Sequence, residues 1–145
     1  METAAAWREL VERNHELEAI DHTGAVLQWD QQTYMPSGGG GGRGQQLSVL
    51  SAIRHERWTH PRTGELLAAL EGADDLNEVQ SAAVWHLRRE YDRDVKLPVD
   101  LIQRQTRAHS AAFAAWMKAR EADDYAVFEP ALREVLDLAR EAAAA

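Results

Sequence analysis

The sequence predicts an all-α fold, a multi-helix bundle of about five to six helices. Three observations carry that expectation. Apolar residues recur at helical spacings along most of the chain, prolines and glycines fall where helices should start and stop, and no segment alternates with a period of two between turn residues. The 145 residues, 45% of them hydrophobic, suit a single helical domain over residues 1–145 with a real core.

Residues 1–36 form an N-terminal helical segment. Trp7, Leu10, Val11, Leu17, Ile20, Val26, Leu27 and Trp29 sit at mostly helical spacings between about Ala4 and Tyr34, and Gly24 beside Thr23 predicts a break or kink. Residues 37–42, Ser37 and five glycines, predict a loop that is the most mobile internal part of the chain, since glycine loses the most backbone entropy on ordering and Pro36 disfavours helix at Met35. Residues 43–145 predict helical hairpins. Leu47, Leu50 and Ile53 run at helical spacing towards Pro61, which opens a short helix to Leu70 that Gly72 closes. Asp75 and Glu78 predict a capping box, after which Leu76, Val79, Ala83, Leu87, Tyr91 and Val95 continue one face. Pro98 predicts the first helical position of the next helix, whose face of Leu101, Ile102, Ala108, Ala112, Phe113, Trp116 and Ala119 runs out at Ala122 to Asp124. Pro130 starts the last helix, to about Ala143.

Composition excludes several kinds of function. With 24 acidic and 16 basic side chains the net charge is −8, a field that repels phosphate backbones, so no nucleic-acid partner is expected. No apolar run nears the ~20 residues of a membrane span, and the charged first residues do not resemble a leader, so a cytoplasmic protein with no membrane partner is expected. The absence of cysteine removes disulfides, thiolate catalysis and cysteine zinc sites, leaving His and carboxylates as the strong metal ligands.

Those ligands are not spaced for a catalytic zinc. His55-Glu56-Arg57-Trp58-Thr59-His60 is the His-Glu-x-x-His pattern with one residue too many. An i,i+4 pair on a helix is offset by about 40°, an i,i+5 pair by about 140°, so the two imidazoles diverge, and His60 precedes a proline that pushes it out of helical geometry. The residue four beyond His15 is Ala19, so His15-Glu16 fails as well. His86 and Glu90 lie one turn apart but are two ligands only, read as a surface pair. The glycine run lacks the Lys-Ser/Thr of a phosphate-binding loop and continues as Arg43-Gly44-Gln45, so it reads as a connector. Asp21, Asp30, Glu121, Asp123 and Asp124 read as solvated carboxylates, and the five tryptophans, Trp7, Trp29, Trp58, Trp85 and Trp116, as core residues rather than a stacking platform. No catalytic, cofactor-binding or metal-binding residue is assigned, and no bound cofactor is expected in this chain.

Taken in order, several blocks are more informative than any one of them. Trp29-Asp30-Gln31-Gln32-Thr33-Tyr34-Met35-Pro36, Arg43 with Leu47, Tyr91-Asp92-Arg93 with Lys96-Leu97-Pro98, Ala115-Trp116 with Ala119-Arg120, Asp124-Tyr125, Phe128, and Pro130-Ala131-Leu132 resemble the N-terminal region of the carboxypeptidase Taq family across essentially the whole chain. The resemblance implies an all-helical zinc metallocarboxypeptidase with a long substrate groove, associating as a dimer. It also implies that the zinc ligands, a His-Glu-x-x-His helix and a further Glu, lie beyond the region this chain resembles. The resemblance transfers no role onto Trp29, Asp30 or Arg43, and the five-glycine stretch departs from the family's usual turn.

Two functional readings follow. In the first the chain is a helical module of a metallocarboxypeptidase, non-catalytic alone, whose partner is the missing catalytic half. In the second it is a stand-alone helical protein that acts by self-association, most simply as a homodimer. A neighbouring reading frame encoding the zinc helix would favour the first. The helix starting at Ala4, through Trp7, Leu10 and Val11, and the face from Trp85 to Val95, through Val84, Trp85 and Tyr91, are the two candidate interfaces, one of which is expected to be used.

Overall fold

A computed structural model describes residues 2–145, Ser37 by its backbone alone. In chain order the elements are helix α1 (Thr3–Thr33), a 3₁₀ turn (Ser37–Gly39), α2 (Gly40–Trp58), α3 (Pro61–Glu71), α4 (Glu78–Asp94), α5 (Val99–Ala122), a second 3₁₀ turn (Tyr125–Val127) and α6 (Glu129–Ala143). No strand occurs among the described residues. The all-α expectation and the helix count are met.

Helix ends follow the sequence signals with a few shifts. His60 caps α3, its Nδ1 accepting from the Arg62 backbone N–H at 3.1 Å, and Pro61 takes the first helical position. The capping box of α4 is built two residues later than expected. Asn77 Oδ1 accepts from the Gln80 N–H at 2.9 Å and Gln80 Oε1 accepts from the Asn77 N–H at 3.0 Å. Asn caps as well as Asp does, and the position that allows reciprocal bonding wins. Pro98 stands one place before α5, as its N-cap, and Asp123 ends that helix in the left-handed region at φ 51°.

Two expectations fail. Gly24 does not break α1, which is continuous over 31 residues. One glycine costs a helix about 1 kcal/mol, an amount the flanking turns can carry. The glycine segment is not an open loop either: after the 3₁₀ turn, Gly40, Gly41 and Gly42 form the first turn of α2. Glycine is least costly at a helix end, and of the five glycines only Gly39 is crowded by a neighbour. A Cβ on Gly39 would lie 2.9 Å from Met35 Cγ, and one on the buried Gly44 would lie 3.4 Å from Ser110 Oγ. Arg43, in the same turn, donates to Asp30 Oδ2 at 2.6 Å and to the Leu27 carbonyl, tying this turn to α1.

The contacts divide the chain into two compact units, Met1–His22 with Arg54–Lys96, and Thr23–Ile53 with Leu97–Ala145. In the first, Ala6 and Leu10 of α1, Leu66, Leu67 and Leu70 of α3 and Val84 of α4 make the core, with Trp7, Leu76, Leu87 and Tyr91 packed against it. Helices α3 and α4 pack closely, and a Cβ on Gly64 would meet Tyr91 Oη at 2.7 Å, so this glycine permits their approach. Arg62 clamps Glu9 with both arms, at 2.7 and 2.6 Å. In the second unit α5 and α6 pair around Leu101, Ala108 and Leu138. Arg104 bridges them to Glu141, its Nη1 donating to Oε2 at 2.9 Å.

The two arginine clamps have a consequence for acid stability. The hydrogen bond from Arg62 holds the Glu9 carboxyl below its ordinary value of 4.5, and that from Arg104 does the same for Glu141. A depressed folded value means that the unfolded chain binds protons first, so stability is complete above about pH 4.5 and falls as pH drops through the folded values. Glu9 is half-buried and Glu141 exposed, and solvent reaches both pairs enough to keep the effect small. The double variant Glu9→Gln, Glu141→Gln is therefore expected to show a flatter melting-temperature profile below pH 4.5 than the parent, and parallel profiles would contradict this.

Candidate interaction surface

The histidines are dispersed rather than gathered. His55 is buried on α2, its backbone carbonyl accepting from the Thr59 N–H and hydroxyl, both at 2.8 Å, while the exposed His60 is occupied as the α3 cap. His15 stands exposed on α1. His86 and Glu90 are both exposed on α4 and line one side of a cleft of about 390 Å³ in the first unit, with Trp7, Leu10, Val11 and Leu87 as its apolar wall. Among the described residues no three His, Cys, Asp or Glu side chains come together as a metal would require.

The apolar surface departs most from expectation. Trp58 is 5% exposed and Trp7 is half-buried, but Trp29, Trp85 and Trp116 are exposed, against the expectation that the tryptophans fill the core. The expected interface also changes. Leu10 and Val84 are buried, and Trp7 and Tyr91 pack on the same core, because α1, α3 and α4 satisfy each other's apolar faces within one unit. Trp7, Val11 and Tyr91 remain half-buried, and Trp85 is 54% exposed.

The exposed indoles are not equivalent. Arg89 lies over the Trp85 ring at 4.7 Å and Arg120 over the Trp116 ring at 5.3 Å, each cation one helical turn along. Such a guanidinium shields a ring from water. Among the described residues no cation lies over Trp29, which meets Tyr34 edge to face at 5.4 Å, and Tyr34 is itself exposed.

The segment around Trp29 has unusual electrostatics. Of the 24 acidic and 16 basic side chains, residues 23–53 hold one of each, Asp30 and Arg43, and those two are bonded to each other. Otherwise the segment offers Gln28, Gln31, Gln32, Gln45 and Gln46 as neutral polar groups, with Gln31 Nε2 donating to Ser110 Oγ at 3.2 Å. Asp30, expected as a solvated carboxylate, is thus one half of a structural clasp with Arg43. Beside it a groove of about 520 Å³ has one wall of Gly40, Gly41 and Gly44 and another of Ala111, Ala114 and Ala115, with Arg107 and Lys118 also lining it. Arg107 also donates to the buried Ser48 hydroxyl at 2.9 Å, fixing α5 to α2. No helix among the described residues is long and apolar enough to cross a membrane.

The comparisons with known proteins agree with this architecture. The family model described as carboxypeptidase Taq (M32) metallopeptidase matches residues 9–145. Thermostable carboxypeptidase 1 of Thermus thermophilus is 34% identical over 99% of this chain and 29% of its own length. The BsuCP crystal structure is similar with a TM-score of 0.89 at 25% identity, over 95% of this chain and 28% of that one. The M32 carboxypeptidase of Deinococcus radiodurans is similar with a TM-score of 0.72 at 31% identity, over 97% and 28%. This chain therefore spans less than a third of the length of these relatives, matching their N-terminal part. A family match over nearly every residue, joined to a six-helix architecture that solved M32 enzymes share, places this chain in the carboxypeptidase Taq (M32) metallopeptidase family.

Proposed function

We propose that this chain is the N-terminal helical module of a zinc metallocarboxypeptidase, an enzyme releasing C-terminal residues from peptides, and that it is non-catalytic by itself. The observation that carries the reading is the match over residues 9–145 to a metallopeptidase family of which the chain spans 29% in the Thermus thermophilus relative. The donor set supports the second half of the reading, since His55 and His60 diverge and His86 with Glu90 are two ligands where a catalytic zinc takes three. The zinc and the base that activates water then belong to the remainder of the enzyme. The lack of cysteine suits a reducing compartment, and we place the module in the cytoplasm.

The experiment is metal analysis of the purified chain after incubation with zinc or cobalt, beside a peptidase assay. Less than stoichiometric metal and no peptide hydrolysis are expected. One tightly bound metal per chain with measurable release of C-terminal residues would overturn the reading.

A stand-alone module that pairs with itself is the second reading, favoured by the exposed Val26, Trp29 and Tyr34. Light scattering at micromolar concentration tests it. A dimer mass supports it and a monomer mass removes it.

A further inference from the structure

We infer that the surface of residues 23–53 is a docking face, and that its occupant is the polypeptide supplying the remainder of the M32 fold. The inference rests on the module reading above and names where the partner sits. Val26 at 64%, Trp29 at 57%, Tyr34 at 76%, Val49 at 44% and Ile53 at 40% exposure all belong to this segment. Large apolar side chains this open to water are ordinary singly, but here they coincide with the loss of charge. Interface cores are marked by depletion of charged residues and enrichment in aromatic ones, and residues 23–53 meet both criteria with one mutually bonded ion pair, a tryptophan and a tyrosine.

The contrast with the other exposed indoles sharpens the assignment. Trp85 and Trp116 carry an arginine over the ring and stand among ionised neighbours, an arrangement suited to water. Trp29 has neither. The clasp between Arg43 and Asp30 also consumes the two charges that would otherwise resist desolvation, so covering this face strands no unpaired ion.

Chain length and charge choose the occupant. The BsuCP structure reproduces this chain at a TM-score of 0.89 within 28% of its own length, so more than twice as much polypeptide again accompanies the same helices there. A neutral, apolar partner surface complements a face without net charge. A second copy would bring a further −8 with it. The glycine wall of the neighbouring groove, Gly40, Gly41 and Gly44, comes from the same segment and would let a helix approach closely.

The test uses the isolated chain and a chimera in which it replaces the matching part of the Thermus thermophilus carboxypeptidase. Trp29→Lys and Val49→Lys each place one charge on the proposed face, and Trp85→Lys places one on an exposed indole outside it. In the chimera the first two are expected to lower the melting temperature by about 5–10 °C, the effect of burying an unpaired charge, and to reduce peptide hydrolysis. Trp85→Lys should leave both unchanged. In the isolated chain all three should melt like the parent, because the positions are already open to water. Equal sensitivity of the chimera to all three substitutions, or to none, would overturn the face. A dimeric isolated chain that Trp29→Lys converts to monomer would overturn the occupant in favour of a second copy. An unsubstituted chimera that folds, binds zinc and fails to cut peptides would overturn the module reading instead.

Discussion

Trp58→Ala is expected to be among the most damaging single substitutions in this chain, lowering the melting temperature by about 10 °C in a circular-dichroism melt. The side chain is 5% exposed at the last residue of α2. Its Nε1 donates to Asp94 Oδ2 at 3.1 Å, and its ring meets Tyr91 edge to face at 5.9 Å, so one residue fastens the end of α2 to α4 in the first unit. Truncating a buried tryptophan to alanine costs about 3–5 kcal/mol, from lost burial and the cavity left behind. Trp58→Phe separates the contributions. It keeps an aromatic edge for Tyr91 and removes the donor, and because Asp94 also pairs with Arg93 at 3.2 Å the loss should be about 1 kcal/mol. A Trp58→Ala melt within about 2 °C of the parent would contradict this packing account.

Leu67→Ala should cost about 2–5 kcal/mol, for a different reason. Leu67 is fully buried among Leu66, Leu70, Ala6, Leu10 and Val84, where α1, α3 and α4 meet, and it makes no polar contact. The penalty is then purely one of lost transfer energy and residual cavity, and its size reports how far the three helices can collapse. Leu67→Met nearly conserves volume and should recover most of the loss, to within about 1.5 kcal/mol of the parent. Equal losses in the two variants would mean that shape rather than volume decides packing here.

The fold was largely legible because its punctuation is chemical. Pro61, Pro98 and Pro130 mark three helix starts to within a residue, and Gly72 and Asp123 mark ends, since each restricts or frees the backbone locally. The misreadings arose where a local preference met a tertiary contact. Gly24 was too small a penalty to interrupt 31 residues, and the last glycines of the segment enter the first turn of α2 beside the Arg43 clasp, which has no sequence signal. Asn77 took the cap from Asp75 because Gln80, rather than Glu78, could return the bond.

Exposure was the least legible property. Apolar periodicity says which residues share a face, not whether a partner covers it. Thus Trp58 and Trp29, similar in sequence, end at opposite extremes of burial. The charge-poor stretch around Trp29 was visible in the sequence as composition, with Asp30 and Arg43 as its two ions. That they neutralise each other needed the antiparallel approach of α1 and α2. The spacing of His55 and His60 was legible in the same way, and the two end on different elements, His55 buried on α2 and His60 as the cap of α3.

Whether this chain is, as proposed, a helical part of a metallocarboxypeptidase that does not cut peptides alone is decided by comparing release of C-terminal residues from an N-terminally blocked peptide by the isolated chain and by the Thermus thermophilus chimera, at equal concentration with equimolar zinc. Release by the chimera and none above background by the isolated chain are expected. Hydrolysis by the isolated chain at a comparable rate, or a folded and zinc-loaded chimera that releases nothing, would contradict it.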